Sequence, residues 1–398
     1  MWLLLLAVAL AYVSLGAILG FVQGGIAPVL RSQGVALSAM RWVYALYLPF
    51  GIAFLWAPAV DTWRWPWLGR RTGWIVPMQW IAVLAIGAVA FNPPGPGAWT
   101  VLLSLGLIAT CAAATMDLAL DALTVEMIPD GQRAAAAAAK VGGVSLGSVL
   151  GGGVLVALYP QLQWHATMGI IAVIMALSGL PVLALVGRDR TLSGQTPRRR
   201  ARLRETLRRP GMTPRFVRLT MLACTLMAIF NFNRLLLVDM GVSLERIGSV
   251  LGTMAPLINA AASGLAVLVL RAWPLRRAAW LMAGACVLSA GTVWAGFVLG
   301  SPSTAIAGSM FVTASAGALY VVLGGLMLKW ASGEQAATDY ALLYGLGRFI
   351  GTAALMALPG LIQVIGWSAF QAGAVVAFAA AAWYFLRLLA NAAQEAPR

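Results

Sequence analysis

Charge is scarce in this chain. Only 10% of its 398 residues are Asp, Glu, Lys or Arg, against about 25% in ordinary soluble domains. Acid is scarcer still: 12 carboxylates stand against 27 basic side chains, for a formal net charge of +15. Histidine occurs once, at His165, in a predicted short loop. That argues against a multi-histidine metal site or a haem and leaves the scattered serines without a base for nucleophilic catalysis. Cys111, Cys224 and Cys286 lie far apart inside apolar segments, so neither a disulfide framework nor a Cys-x-x-Cys pair is indicated. A phosphate loop is missing as well, which argues against direct ATP drive. These residues do not point to an enzyme, a resident cofactor or a metal site.

What the chain has instead is apolar length. Its composition is 61% hydrophobic, and apolar segments of about 20 residues recur from end to end, as spanning helices require. The expected fold is an all-α polytopic membrane protein with twelve transmembrane helices. The first six are expected near Trp2–Val22, Arg41–Ala59, Trp74–Phe91, Trp99–Leu123, Ala134–Leu158 and Ala166–Val186. The last six are expected near Phe216–Val238, Ile247–Leu270, Ala278–Leu299, Thr304–Lys329, Tyr340–Ile365 and Phe370–Leu389. The opening Met1-Trp-Leu-Leu-Leu-Leu has no basic region before a long apolar run, so it reads as a first spanning helix rather than a cleaved signal peptide.

The basic excess follows topology. Arg64, Arg70 and Arg71 fall between helices two and three, and Arg271, Arg276 and Arg277 between helices eight and nine. The alternate loops 92–97, 159–165 and 300–303 carry no Lys or Arg; Arg31, Arg41 and Arg246 depart from the pattern. This bias places both termini and the central linker in the cytoplasm and makes nucleic-acid binding an unneeded explanation. The linker, residues 187–215, holds ten arginines against Asp189 and Glu205. It separates six-helix bundles at 1–186 and 216–398. Contact with anionic lipid headgroups explains its composition; a regulatory role is the alternative, and 201–209 has the pattern of a short amphipathic helix. A faint repeat links the halves: Gly143-x3-Gly147 is matched by Gly347-x3-Gly351, a spacing that lets helices approach closely.

Ionisable groups inside spanning helices are costly and face a bundle interior or a watery cavity. Asp117 and Asp121 stand one turn apart in helix four, on one face. They are the candidates for proton coupling, with Lys140 in helix five as an ion-pair partner; a purely structural network is the alternative. Arg348, about 12 Å into helix eleven at 1.5 Å per residue, and Arg234 are candidate contacts for an anionic substrate, or else pair within the protein. For Arg234 that means snorkelling outward or pairing with Asp239. Gln23, Tyr44, Tyr47, Asn231 and Asn233 complete the substrate-binding candidates, and Trp80 offers a further stacking surface. Packing or interfacial anchoring is the competing role for the aromatics. Glu126 and Asp130 are expected in a loop.

The run Trp56-Ala-Pro-Ala-Val-Asp61, followed by Gly69-Arg-Arg71, resembles the signature of the major facilitator superfamily, although the spacing is longer than usual. Trp56-Ala-Pro58, Gly69-Arg-Arg-Thr-Gly-Trp74 and the helix carrying Asp117 and Asp121 are similar to a branch of muropeptide permeases, acetyl-CoA transporters and ferric-siderophore permeases. Within it, Pro77-Met-Gln79 and Val141-Gly-Gly143 look most like the siderophore permeases. The resemblance covers mainly the N-terminal half. It implies two halves that rock about a central site, with Asp61, Arg70 and Arg71 as gating residues. It also implies proton-driven import of a ferric siderophore, or alternatively of a muropeptide, across the bacterial cytoplasmic membrane. A transporter fold turned to assembly or sensing is the remaining alternative.

Overall fold

The computed structural model describes residues 2–63, 65, 67–95, 98–128, 133–192, 211–330 and 336–394. Helices account for its regular structure, with no strand among the described residues. Eleven helical segments there are long and apolar enough to cross a membrane. The last of these, Leu343–Arg387, has 45 residues, too many for one crossing of about 20. It lies in the helical run Ala336–Gln394, where Gly366 leaves helical geometry at φ 79, ψ 166. Two spanning helices meet there, giving the expected twelve.

The helices are α1 (Trp2–Gly24), α2 (Leu37–Leu55), α3 (Thr72–Ala90), α4 (Trp99–Met127), α5 (Arg133–Val149) and α6 (Tyr159–Gly179). Then come α7 (Met212–Asn231), α8 (Ala255–Ala272), α9 (Leu275–Val298), α10 (Pro302–Trp330), α11 (336–365) and α12 (367–394). Several are interrupted. A short helix Ile26–Ser32 follows α1 across Gly25, and another, Asn233–Asp239, follows α7 across Phe232. Helix α2 is built from short 3-10 and α pieces. A π-helical segment, Leu150–Val154, follows α5, and another, Ile247–Met254, precedes α8.

Three local expectations are corrected. His165 lies inside α6, which begins at Tyr159 and is kinked at Gln163, not in a loop. Glu126 occupies the last turn of α4. A helix continues over Val186–Leu192 into the start of the expected linker. Asp130 and the stretch 201–209 lie outside the described residues.

Contacts divide the chain into two compact units. Unit 1 comprises Met1–Leu30 with Leu46–Arg199, and unit 2 comprises Arg31–Ala45 with Arg200–Arg398. In unit 1 the glycines of α5 lie directly on α1. A Cβ at Gly143 would strike the Ala9 carbonyl, one at Gly147 the Val13 carbonyl, and one at Gly151 the Ala17 carbonyl. From the other side, Gly16 and Gly20 face the backbone of Val144 and Ser148. Small residues at four-residue spacing are what this approach needs. In unit 2 the matching glycines of α11 face α7: Gly347 lies near Thr220, and Gly351 near Met227 and Cys224. The sequence repeat thus corresponds to fifth-on-first helix packing in each unit.

Candidate functional site

Close packing of α5 on α1 brings Lys140 to the carboxylates of α4. Its ammonium lies 2.5 and 2.7 Å from the two Asp121 oxygens and 3.5 Å from Asp117 Oδ1. It also sits 5.1 Å from the centroid of the Tyr12 ring, a cation over an aromatic face. The Tyr12 hydroxyl donates to Asp121 Oδ1 at 2.5 Å. Tyr12 is fully buried, whereas the side chains of Lys140, Asp117 and Asp121 keep 36%, 32% and 50% of their surface. The cluster is therefore sealed beneath and open above. Two carboxylates thus share one ammonium. Asp117 makes the longer contact to Lys140 and Asp121 the shorter ones. Sequence reasoning missed Tyr12, although it and Ser14 are the polar side chains in the middle of an otherwise apolar helix.

The Gly69-Arg-Arg71 run forms a second network in unit 1. Arg70 Nη2 donates to Glu126 Oε1, and Arg71 donates to the same oxygen from Nη2 at 2.7 Å and Nε at 3.2 Å. Arg71 Nη1 also reaches the Val60 carbonyl at 3.2 Å. Burial raises the Glu126 pKa, but the two guanidiniums outweigh it and hold the carboxyl below the usual range. Asp189 is 2% exposed. It accepts from Arg71 N at 2.8 Å, Thr72 N at 2.7 Å and Thr72 Oγ1 at 2.8 Å, satisfying free N–H groups at the start of α3. Gly69 is required because a Cβ there would occupy the Asp189 carboxylate. Asp61 lies in the helix Ala57–Thr62, but its side chain is outside the described residues. The partners the structure supplies, Glu126 and Asp189, were not singled out as site residues. Asp189 lies between Arg188 and Arg190 in the sequence, whereas Glu126 has no basic neighbour to mark it.

The other candidates separate. In unit 1, Gln23 is exposed. Tyr47 is buried and donates to the Val22 carbonyl at 3.0 Å. In unit 2, Tyr44 is buried, tilts on Phe232 with centroids 5.2 Å apart, and points its hydroxyl at the Asn231 carbonyl, 3.4 Å away. The Asn231 amide turns back to Met227 O at 2.8 Å. Asn233 is 4% exposed, with no hydrogen bond at its Oδ1 among the described residues. Arg234 donates to the Leu251 carbonyl at 2.8 Å, inside the π-helical segment where the regular backbone pattern is broken. It does not pair with Asp239, which Arg31 takes instead. Arg348 is half-buried in α11.

Long apolar helices that recur through both units, one of them carrying two carboxylates, have the build of a multi-pass membrane protein. The chain belongs to the Major Facilitator Superfamily, whose sequence profile matches residues 2–298. Among solved structures, a bacterial homologue of the iron transporter ferroportin, in an inward-facing state, superposes with a TM-score of 0.72. It is 15% identical, over 97% of each chain. A POT family transporter in complex with 5-aminolevulinic acid gives a TM-score of 0.72 at 12% identity, over 99% of this chain and 96% of that one. These likenesses show the fold.

Among curated proteins, the anhydromuropeptide permease of Escherichia coli strain K12 is 29% identical over 163 residues, 41% of this chain and 32% of that protein. An uncharacterized protein of Haemophilus influenzae is 26% identical over 164 residues, 39% of this chain and 38% of that one. The matched segment thus spans about a third of the curated relatives' length.

Proposed function

We propose that this multi-pass membrane protein is a proton-driven importer in the bacterial cytoplasmic membrane, and that its solute is a muropeptide or a similarly bulky anion. The observation that carries the coupling is the sharing of Lys140 between Asp121 and Asp117. Proton binding at Asp117 removes one negative charge from the cluster, and its release restores that charge. Ligands that differ in their preference for two conformations drive a two-state protein between them; the proton is one such ligand and the solute the other. The basic loops support an orientation with both termini in the cytoplasm.

The solute assignment rests on the partial match to the Escherichia coli permease. The residues that suggested a ferric siderophore act elsewhere. Gln79 is buried, exchanges hydrogen bonds with Ser14 at 2.8 and 3.1 Å and donates to the Met175 carbonyl. Gly143 packs on α1. Both hold helices together, so the likeness they carry concerns architecture rather than solute. Siderophore import remains the second reading.

The test is uptake into proteoliposomes loaded at higher pH than the bath. Radiolabelled anhydromuropeptide should accumulate above empty vesicles, and an uncoupler should abolish the accumulation. Accumulation of iron-55 siderophore instead would exchange the two readings. Accumulation of neither, with correctly inserted protein, would favour a transporter fold used for assembly or sensing.

A further inference from the structure

The residues between Asp61 and Gly69 read Thr-Trp-Arg-Trp-Pro-Trp-Leu, with a tryptophan at every second position from Trp63 to Trp67. They lie outside the spanning segments, which end at Leu55 in α2 and resume at Thr72 in α3. Trp63, Trp65 and Trp67 nevertheless keep 65%, 40% and 80% of their surface. A concentration of exposed apolar side chains marks a surface that meets protein or membrane. Tryptophan in particular collects where bilayer meets water, because its ring is apolar and its N–H is not.

The contacts of the loop decide between the two. Trp74 Nε1 donates to the Trp63 carbonyl at 3.3 Å. A Cβ at Gly73 would stand 2.8 Å from Trp65 Cδ1 and 3.1 Å from Trp65 Cβ. Gly69 N donates to Thr72 Oγ1 at 3.0 Å. The loop is therefore pinned on both sides of Trp67 to the first turn of α3, level with the start of that spanning segment, and does not reach out into water. Trp74 stands two turns before Ile81, on the side of α3 where Ile81 and Leu84 are exposed. Trp63 thus continues the outer apolar surface of the helix. The headgroup layer is about 5–8 Å deep on each side of the hydrocarbon core, enough to take an indole. Arg64, Arg70 and Arg71 with no acid between Thr62 and Thr72 suit anionic headgroups. Arg70 and Arg71 are paired with Glu126, which leaves the indoles as the loop's main contact with its surroundings.

We propose that Trp63 and Trp67 are an interfacial anchor of unit 1, seated among the lipid headgroups at the start of α3, with Trp65 as the pin that holds the loop there. The anchor ties the Arg70–Arg71–Glu126 network, which begins three residues beyond Trp67, to the bilayer surface. It requires only that the chain spans a membrane, and is independent of the transported solute.

The test uses the full chain, labelled with fluorotryptophan, in nanodiscs of phosphatidylcholine and phosphatidylglycerol. Trp63→Phe and Trp67→Phe each remove one fluorine signal and so assign it. A nitroxide on the lipid headgroup should broaden both signals several-fold more than a water-soluble gadolinium chelate does. Trp67→Ser should make the Trp63 signal a few-fold more sensitive to the chelate, with the unfolding midpoint unchanged. Trp67→Tyr should leave it protected, since tyrosine also favours the interface. Stronger broadening by the chelate than by the lipid nitroxide would place the loop in water and overturn the anchor. Protection from both would put protein over the patch, a second copy or another partner, and overturn the lipid assignment. A Trp63 signal indifferent to Trp67→Ser would show that the two rings do not act together.

Discussion

Arg31 grips Asp239 with two hydrogen bonds, Nε at 2.6 Å and Nη2 at 3.1 Å. Asp239 also accepts from Trp367 Nε1 at 2.7 Å. The segment Arg31–Ala45 follows α1 in the chain yet belongs to unit 2. It is fastened by this clasp, by Ser38 N on Gln363 Oε1 at 3.1 Å, and by Tyr44 on Phe232. Asp239→Asn keeps a Trp367 acceptor but removes the charge. The expected result is faster amide hydrogen exchange across 33–45, with a global cost of about 1 kcal/mol or less, as for accessible ion pairs. Mass-spectrometric exchange on the intact protein checks this; unchanged exchange in that segment would show that aromatic packing alone holds it.

The two aspartates of α4 should separate in their effects. Asp121 makes the short contacts to Lys140 and Tyr12, whereas Asp117 has the 3.5 Å contact. Asp121→Asn should lower thermal stability by about 1–2 kcal/mol, less than breaking a fully buried pair because these side chains are partly open. Asp117→Asn should cost about 1 kcal/mol or less and abolish gradient-driven accumulation while solute still exchanges across vesicles at equal pH. Uptake and counterflow measured on the same preparation distinguish the two. Normal accumulation in Asp117→Asn would take that carboxylate out of the coupling mechanism.

Much of the fold was legible because one physical demand dominates it: each crossing needs a long apolar helix. The glycine spacing of α5 was legible for a related reason, since backbone contact between α1 and α5 leaves no room for side chains. The candidate site was less so. That Lys140 faces the α4 carboxylates depends on α5 being pressed against α1, a relation between residues more than a hundred positions apart. Glu126 and Asp189 were obscured because no local pattern says which arginine an isolated acid will meet. Arg234 found a backbone carbonyl in a π-helical turn, and nothing in the sequence marks that turn.

The Arg70–Arg71–Glu126 network makes stability depend on acid. The Glu126 pKa is lowered in the folded protein from its ordinary value of 4.5. Its contribution is therefore fully present above that value and is lost as pH falls through the lower, folded value. Glu126→Gln should flatten this acid limb and leave the neutral-to-alkaline limb unchanged. Unfolding midpoints from about pH 3, below the ordinary glutamate pKa, up to about pH 8 provide the measurement. An identical acid limb in the variant would assign it to other carboxylates.

The repeated glycines should not be equally sensitive. At Gly147 a Cβ meets backbone, namely the Val13 carbonyl oxygen, the Ala17 nitrogen and the Gly16 carbon. Main chain cannot rotate aside, so Gly147→Ala must push α5 away from α1, at about 1–3 kcal/mol for overpacking. At Gly351 the obstacle is the Met227 sulfur at 2.5 Å, the end of a flexible side chain that can choose another rotamer. At Gly347 the nearest atom is Thr220 Oγ1 at 3.9 Å, an ordinary contact. Alanine also favours the helix by up to about 1 kcal/mol over glycine. Gly351→Ala should therefore be near neutral, and Gly347→Ala neutral or slightly stabilising. Thermal midpoints of the three variants in one detergent test the order. Since Lys140 rides on α5, Gly147→Ala should also weaken coupling, a loss that the α11 variants should not share. Equal destabilisation at all three sites would mean that close approach in the two units is governed by something other than backbone contact.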